Sequence, residues 1–202
     1  MVDAPVRDRR AERRKATRAE ILEAAWELVR DHGLAGLSLR DVAAKIGMRP
    51  PSLYWYFDSK HALYDAMFAE GNRQLLDRIA TENWPTEPRG LLRRLARLFA
   101  VFSAEDAARS QLLFQRTIPD FEPSPNSYAL AVEVLERGRA FLASAGVTDS
   151  VHVDLWTGLI AGLASQQLAN DPGGDRWLRL IDEAVDMYAD HVLTKRPARR
   201  KR

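Results

Sequence analysis

A chain of 202 residues can bury a sizeable core, as one compact unit or two small domains. It contains no cysteine, which excludes disulfides and thiolate zinc sites and fits a reducing cytoplasmic setting. The net charge of +2 conceals an asymmetry: residues 1–60 balance to +3, residues 61–194 to −7 and residues 195–202 to +6, so a polyanion suits the two ends better than the middle.

The Arg-rich start has no apolar run behind it, unlike a secretory signal. The most apolar stretch, Leu155 to Leu168, is interrupted by Gly158, Gly162, Gln166 and Gln167 and falls short of a membrane span. Apolar residues recur every three or four positions along nearly the whole chain, which predicts an all-helical protein of about nine helices.

Residues 1–15 read as a basic, flexible arm. Thr17-x-x-Glu20 has the form of a capping box, opening a first helix to about Asp31 with Ile21, Leu22, Ala25, Leu28 and Val29 on its apolar stripe. Gly33 ends it. Ser38 is placed to cap a second helix, Leu39 to Ile46, and Gly47 makes a turn. Pro50 and Pro51 fit only the first turn of a third helix, running to about Tyr56. A fourth helix follows Asp58 or Ser59 and continues to about Ala80. Trp84-Pro-Thr-Glu-Pro88 is the first clear break. A fifth helix carries Leu91, Leu95, Leu98 and Phe102, and a sixth spans about 105–116. Three prolines mark 118–126 as a loop. A seventh helix covers about 127–145, and Thr148 is placed to cap an eighth, to about Asn170. Asp171-Pro-Gly-Gly174 reads as a tight turn before a ninth helix from Asp175 to about Leu193. Lys195 to Arg202 form a basic tail. Short connections imply antiparallel neighbours in a bundle.

Helices two and three, with a glycine turn between them, have the form of a helix-turn-helix. The third helix carries groups suited to a DNA surface. Pro50 and Pro51 offer flat apolar area that could meet a thymine methyl, and Ser52 offers a hydroxyl. Tyr54, Trp55 and Tyr56 point in three directions, so at least one must be exposed, with a hydroxyl or indole donor for phosphate. Leu53 and Phe57, four apart, form the buried side. Lys60 stands at the start of the next helix as a point charge for phosphate. Arg40, early in the second helix, suits a bidentate contact to guanine.

Residues 17–64 closely resemble the DNA-binding domain of the TetR family of transcriptional regulators. The resemblance lies in Asp31-His-Gly33, in Leu37-Ser-Leu-Arg-Asp-Val-Ala-Ala-Lys-Ile-Gly47, and in Ser52-Leu-Tyr-Trp-Tyr-Phe-Asp-Ser-Lys-His-Ala-Leu63. The family's usual Leu-Tyr-x-His/Tyr-Phe-x-x-Lys stands here as Leu53 to Lys60. The resemblance implies phosphate contacts from Tyr54 and Lys60, and a place at the DNA interface for Arg40, Pro51 and Ser52, with Arg40 on a base. Arg49 and Pro50 depart from the small or polar residues usual there, so they are candidates for altering the operator that is read. The implied organisation is a basic arm (1–15), a helix-turn-helix domain (16–62), a helical regulatory and dimerisation domain (63–194) and a basic tail (195–202).

The resemblance also implies a homodimer joined through the last two helices, and a cavity for a small effector in the larger domain. The small residues Gly158, Ala161, Gly162 and Ser165 would let a second helix approach closely, and Ile181, Val185 and Tyr188 are the expected contacts from the ninth helix. Phe99, Phe102, Phe114, Tyr128, Trp156 and Gln166 are candidate cavity residues, and the mostly apolar stock points to a lipophilic ligand. The expected partners are double-stranded DNA carrying a near-palindromic operator, a second copy of the chain and an unidentified small molecule. Repression released by that molecule is the expected activity. Activation, or ligand-independent architectural DNA binding, are the alternatives. The four histidines are scattered, and no phosphate loop, nucleophile elbow or HExxH run occurs, so neither catalysis, a metal site nor a cofactor is expected.

Overall fold

The computed structural model describes residues 9–193 and is helical, with no strand among them. In chain order the helices are α1 (Arg9–His32), α2 (Leu39–Lys45), α3 (Pro50–Tyr54), α4 (Lys60–Thr81), α5 (Pro88–Glu105), α6 (Ala107–Phe114), α7 (Pro125–Ser144), α8 (Ser150–Asn170) and α9 (Ile181–Leu193), with a short 3-10 turn at Leu178–Leu180. No helix among the described residues is long and apolar enough to cross a membrane.

Three expectations for helix starts need correcting. The arm read over 1–15 is helical from Arg9 onward, and Thr17 lies inside α1 rather than capping it. Arg9 to Ala16 contains no proline or glycine and consists of strong helix formers, so nothing within it interrupts the helix. Residues 1–8 and the basic tail lie outside the described residues. The cap of α8 is Asp149, not Thr148: its carboxylate accepts from Val151 N at 2.9 Å. The ninth helix begins at Ile181, not Asp175. Upstream, the Asp171 carboxylate accepts from Arg176 N and the buried Gln167 Oε1 accepts from Trp177 N and Leu178 N, which draws those donors away from a regular helix start.

The buried side chains form three clusters. One joins α1, α2 and α3 to the first half of α4 through Ile21, Trp26, Val29, Val42, Leu53, Phe57, Leu63 and Met67. It also takes in Ala108 and Leu112 of α6, with Ile118 and Phe121 of the following loop packed against it. A second joins α5, α8 and α9 through Leu92, Leu95, Trp156, Ile160, Ile181 and Val185. A third joins the second half of α4 to α5 and α7 through Leu75, Ile79, Phe102 and Val134. Full burial of each such side chain stabilises by about 1.5–3 kcal/mol.

α5 is common to the last two clusters. Beside its packing on α9 it holds Arg89, Arg93 and Arg97, spaced by four, against Asp190, Asp186 and Asp182 of α9, also spaced by four. The two runs are antiparallel, so the pairs match in sequence and fix the register of α9 on α5. These partly exposed pairs contribute little stability each. Part of the acidic excess of the middle of the chain is consumed in this ladder.

Candidate nucleic-acid interface

The helix-turn-helix is set by backbone chemistry before any side chain meets a partner. The Ser38 carbonyl accepts from Val42 N at 3.0 Å, although its hydroxyl makes no cap. α2 closes with Met48 N donating to Ala43 O at 2.8 Å and Gly47 N to Ala44 O at 3.1 Å, the paired bonds of a Schellman end. Gly47 sits at φ 65, and a Cβ there would meet nothing within 4 Å. The backbone angle, rather than space, calls for glycine. α3 opens on Pro50 and Pro51, where no donor is lost, and is short, with Leu53 and Phe57 buried beneath it. Tyr56 and Trp55 follow as the helix ends.

This anchoring leaves one face outward. Arg40, Arg49, Pro50, Pro51, Ser52, Tyr54 and Trp55 are all exposed. Trp55 is 82% exposed and Tyr54 53%. Large aromatic surface in water is unfavourable, and none of the core clusters takes in these two rings. Tyr56 is half-buried and packs against the head's core.

Lys60 is placed less freely than its sequence suggests. Its Nζ donates to the Ala35 carbonyl at 2.9 Å and lies 5.5 Å from the Tyr64 ring centre. The ammonium is thereby fastened to the loop between α1 and α2, and keeps further protons for an anion.

Arg18 holds α1 to the residues that follow α3. Its guanidinium lies 4.0 Å over the Phe57 ring and Nη1 donates to the Tyr56 carbonyl at 2.8 Å. Partial desolvation there lowers the Arg18 pKa from its ordinary value, and Arg14 one turn earlier lowers it further. A signal for this was available: Arg18 precedes Ile21, Leu22 and Ala25 at spacings of three, four and seven, which puts it on the buried stripe. Two further ties carry no comparable signal. The Trp26 indole donates to Glu70 at 2.7 Å, and the buried Tyr64 hydroxyl donates to the Leu34 carbonyl, with its pKa pushed up to about 12 by burial.

A family model described as "Bacterial regulatory proteins, tetR family" matches residues 21–67, which take in α2, α3 and Lys60 but not Arg18 or Glu70. The tetracycline repressor protein class A from transposon 1721 of Escherichia coli is 27% identical over 162 residues, 77% of this chain and 69% of that protein. Residues 21–67 are thus a tetR-family DNA-binding domain. The class D tetracycline repressor of Escherichia coli is 39% identical over 56 residues, which are 28% of this chain and 26% of the repressor. That match therefore spans about a quarter of the relative's length. Among solved structures, the transcriptional regulator FadR from Bacillus subtilis, in complex with stearoyl-CoA, superimposes with a TM-score of 0.60 at 15% identity, over 84% of this chain and 96% of that one. At that identity the likeness concerns the fold.

The six candidate cavity residues do not converge. Phe102 is buried among α4, α5 and α7, with the Arg109 guanidinium 3.7 Å over its ring. Trp156 is buried among α5, α8 and α9, edge-on to Tyr188 at 5.3 Å. Phe99 is half-buried between those two clusters. Phe114 and Tyr128 are exposed, and so is Gln166, which accepts from Asn170 Nδ2 at 2.6 Å.

The residues expected at a subunit contact divide cleanly. Gly158, Ala161, Gly162 and Ser165 lie on an exposed face of α8, flanked by exposed Val151 and Leu155. Ile181, Val185 and Tyr188 instead face inward and pack within the chain, and the Tyr188 hydroxyl donates to the His152 carbonyl at 2.8 Å. The apolar stripe of α9 that the sequence displays is the one turned to α5 and α8; its exposed face carries Met187, with Leu180 just before it. Among the described residues no three His, Cys, Asp or Glu side chains gather as a metal site would need.

Proposed function

We propose that the chain is a sequence-specific, DNA-binding transcriptional regulator that acts as a homodimer. The carrying observation is the outward face of α2 and α3: two arginines, two prolines, a serine and two large aromatics held in solvent by a buried Leu53 and Phe57. A helix so presented fits the major groove, with Arg40 and Arg49 as candidates for base edges and Tyr54 and Lys60 for phosphates. One five-residue helix reads few base pairs, so two copies on a near-palindromic site give the needed affinity. The small-residue face of α8, flanked by Val151 and Leu155, supports the second copy.

The direction of control we propose is repression, relieved by a small and largely apolar effector bound in the α4–α8 region. The aromatic stock of that region supports it, as does the acyl-CoA bound to the FadR of similar fold. To loosen DNA by about 3 kcal/mol, the effector must prefer the DNA-free form about 100-fold. Such a regulator works in the cytoplasm.

The test is binding to duplexes from the gene's own promoter and to scrambled duplexes across a salt series. A preference of about a thousandfold or more for one promoter segment supports the reading, and equal affinity for both overturns it.

A further inference from the structure

Residues 9–16 of α1 are all exposed, whereas Thr17 is half-buried and the buried stripe begins at Ile21. These eight residues include Arg9, Arg10, Arg13, Arg14 and Lys15 against Glu12 alone. That is a poor composition for the start of a free helix. Basic side chains there oppose the positive end of the helix dipole, and Arg9/Arg13 and Arg10/Arg14 are like charges four apart. Neither Arg13 nor Arg14 has a salt-bridge partner among the described residues. Packing does not explain the segment, and charge opposes it. A negative counter-surface would turn the same charges from a cost into an attraction.

The segment's position says which counter-surface. Arg18 is clasped to Tyr56 and Phe57, next in sequence to the exposed Trp55, so α1 passes the end of the reading helix at that point. From Arg18 back to Arg9 the helix extends roughly 14 Å further at 1.5 Å per residue. From Arg30 at Asp106, through Trp26 at Glu70, to Arg18 at Tyr56, α1 runs toward the end of α3, so its extension carries these charges, at fixed spacing, beyond that point.

We infer that the first two turns of α1 are a second DNA-contacting surface, a helical ridge of Arg9, Arg13 and Arg14 that grips the phosphate backbone flanking the site read by α3. This rests on the DNA-binding function proposed above and adds a partner surface to it. Phosphate contacts position a protein and carry no sequence information, so the ridge raises affinity for every duplex alike. Being helical rather than extended, it reaches backbone at a set distance from the bases that α3 reads.

The test uses the full chain and a triple variant, Arg9→Gln, Arg13→Gln and Arg14→Gln. Glutamine keeps the helix propensity and removes the charge. Affinity is measured by fluorescence anisotropy for promoter and scrambled duplexes between about 50 and 300 mM salt, a range over which counterion release is readily resolved. The expected result is weakening on both duplexes by the same factor, on the order of tenfold at the low end. The preference for the promoter is kept, and the slope of log affinity against log salt falls by about 0.9 for each phosphate that is no longer neutralised. The melting temperature should be unchanged or higher, since the dipole conflict is relieved.

Unchanged affinity and slope overturn the inference, as does a loss confined to the promoter duplex, which would mean base reading. Arg40→Ala separates the two levels: it should lower promoter preference with little change of slope. If the parent prefers no duplex, the regulator reading falls as well. If the parent discriminates and the triple variant matches it throughout, only the ridge falls.

Discussion

Arg30 near the end of α1 donates through Nε to Asp106 Oδ2 at 2.8 Å, across 76 positions of sequence. Asp106 is buried at the junction of α5 and α6, where its other oxygen caps α6 by accepting from Arg109 N at 2.9 Å. The neighbouring Glu105 takes Arg78 of α4 at 2.7 and 3.0 Å. One acidic pair therefore fastens the reading head and α4 to the same corner.

Asp106→Ala removes both the cap and the ion-pair partner, and should cost about 2 kcal/mol in urea unfolding at neutral pH. Asp106→Asn keeps a capping oxygen and should cost about half as much. Equal losses from the two would mean that the cap contributes nothing.

Tyr54→Phe should weaken promoter binding about ten- to a hundredfold, the value of one hydrogen bond to a charged group, with no change in melting temperature because the ring is exposed. Lys60→Ala should weaken binding and also lower the melting temperature slightly, because it releases the Ala35 carbonyl. Wild-type affinity in the double variant would show that neither residue meets DNA.

The α8 face can be tested by bulk. A Cβ at Gly158 or Gly162 would meet nothing within 4 Å inside the chain. Gly162→Leu should therefore leave the far-ultraviolet circular dichroism intact, and the helix should gain up to about 1 kcal/mol in propensity. In sedimentation velocity the same variant should run as a monomer, and its promoter affinity should collapse. A dimer that persists would place the subunit contact elsewhere.

Alkaline pH offers a further check. The hydroxyls of Tyr64 and Tyr188 donate to the carbonyls of Leu34 and His152, and burial pushes both pKa values up to about 12. The unfolded chain releases these protons near pH 10. Between about pH 10 and 12 the folded chain therefore holds more protons than the unfolded one, and stability from these two groups falls as pH rises through that window. It is fully present below pH 10. Urea unfolding should show this decline, and Tyr64→Phe should flatten it. An unaltered decline in that variant would locate the titration elsewhere.

Much of the head was legible in the sequence because its signals are local. Gly47, the paired prolines and the four-residue spacing of Leu53 and Phe57 each dictate a backbone or a face within one turn. The same logic failed where a choice depends on distant packing. The stripe on α9 shows that Ile181, Val185 and Tyr188 are buried, but periodicity does not say whether a neighbour or a second subunit buries them. Trp156 and Phe114 look alike as aromatic residues in apolar helices, yet one is enclosed by α5 and α9 while the other ends its helix in solvent. Thr17 and Thr148 satisfy the rule for a cap, but the stronger helix formers before the first and the carboxylate after the second decide the outcome.

The core around α2 and α3 closes only with Ala108, Leu112, Ile118 and Phe121, which the chain supplies roughly fifty to sixty residues after α4 has begun. The recognition unit is therefore not a detachable cassette. A graft that exchanges heads between relatives by cutting within α4 would strip away this covering and leave an apolar wound on both fragments. Specificity can be transplanted only on a smaller scale, by replacing the outward residues of α2 and α3 while leaving their undersides, and everything that seals them, in place.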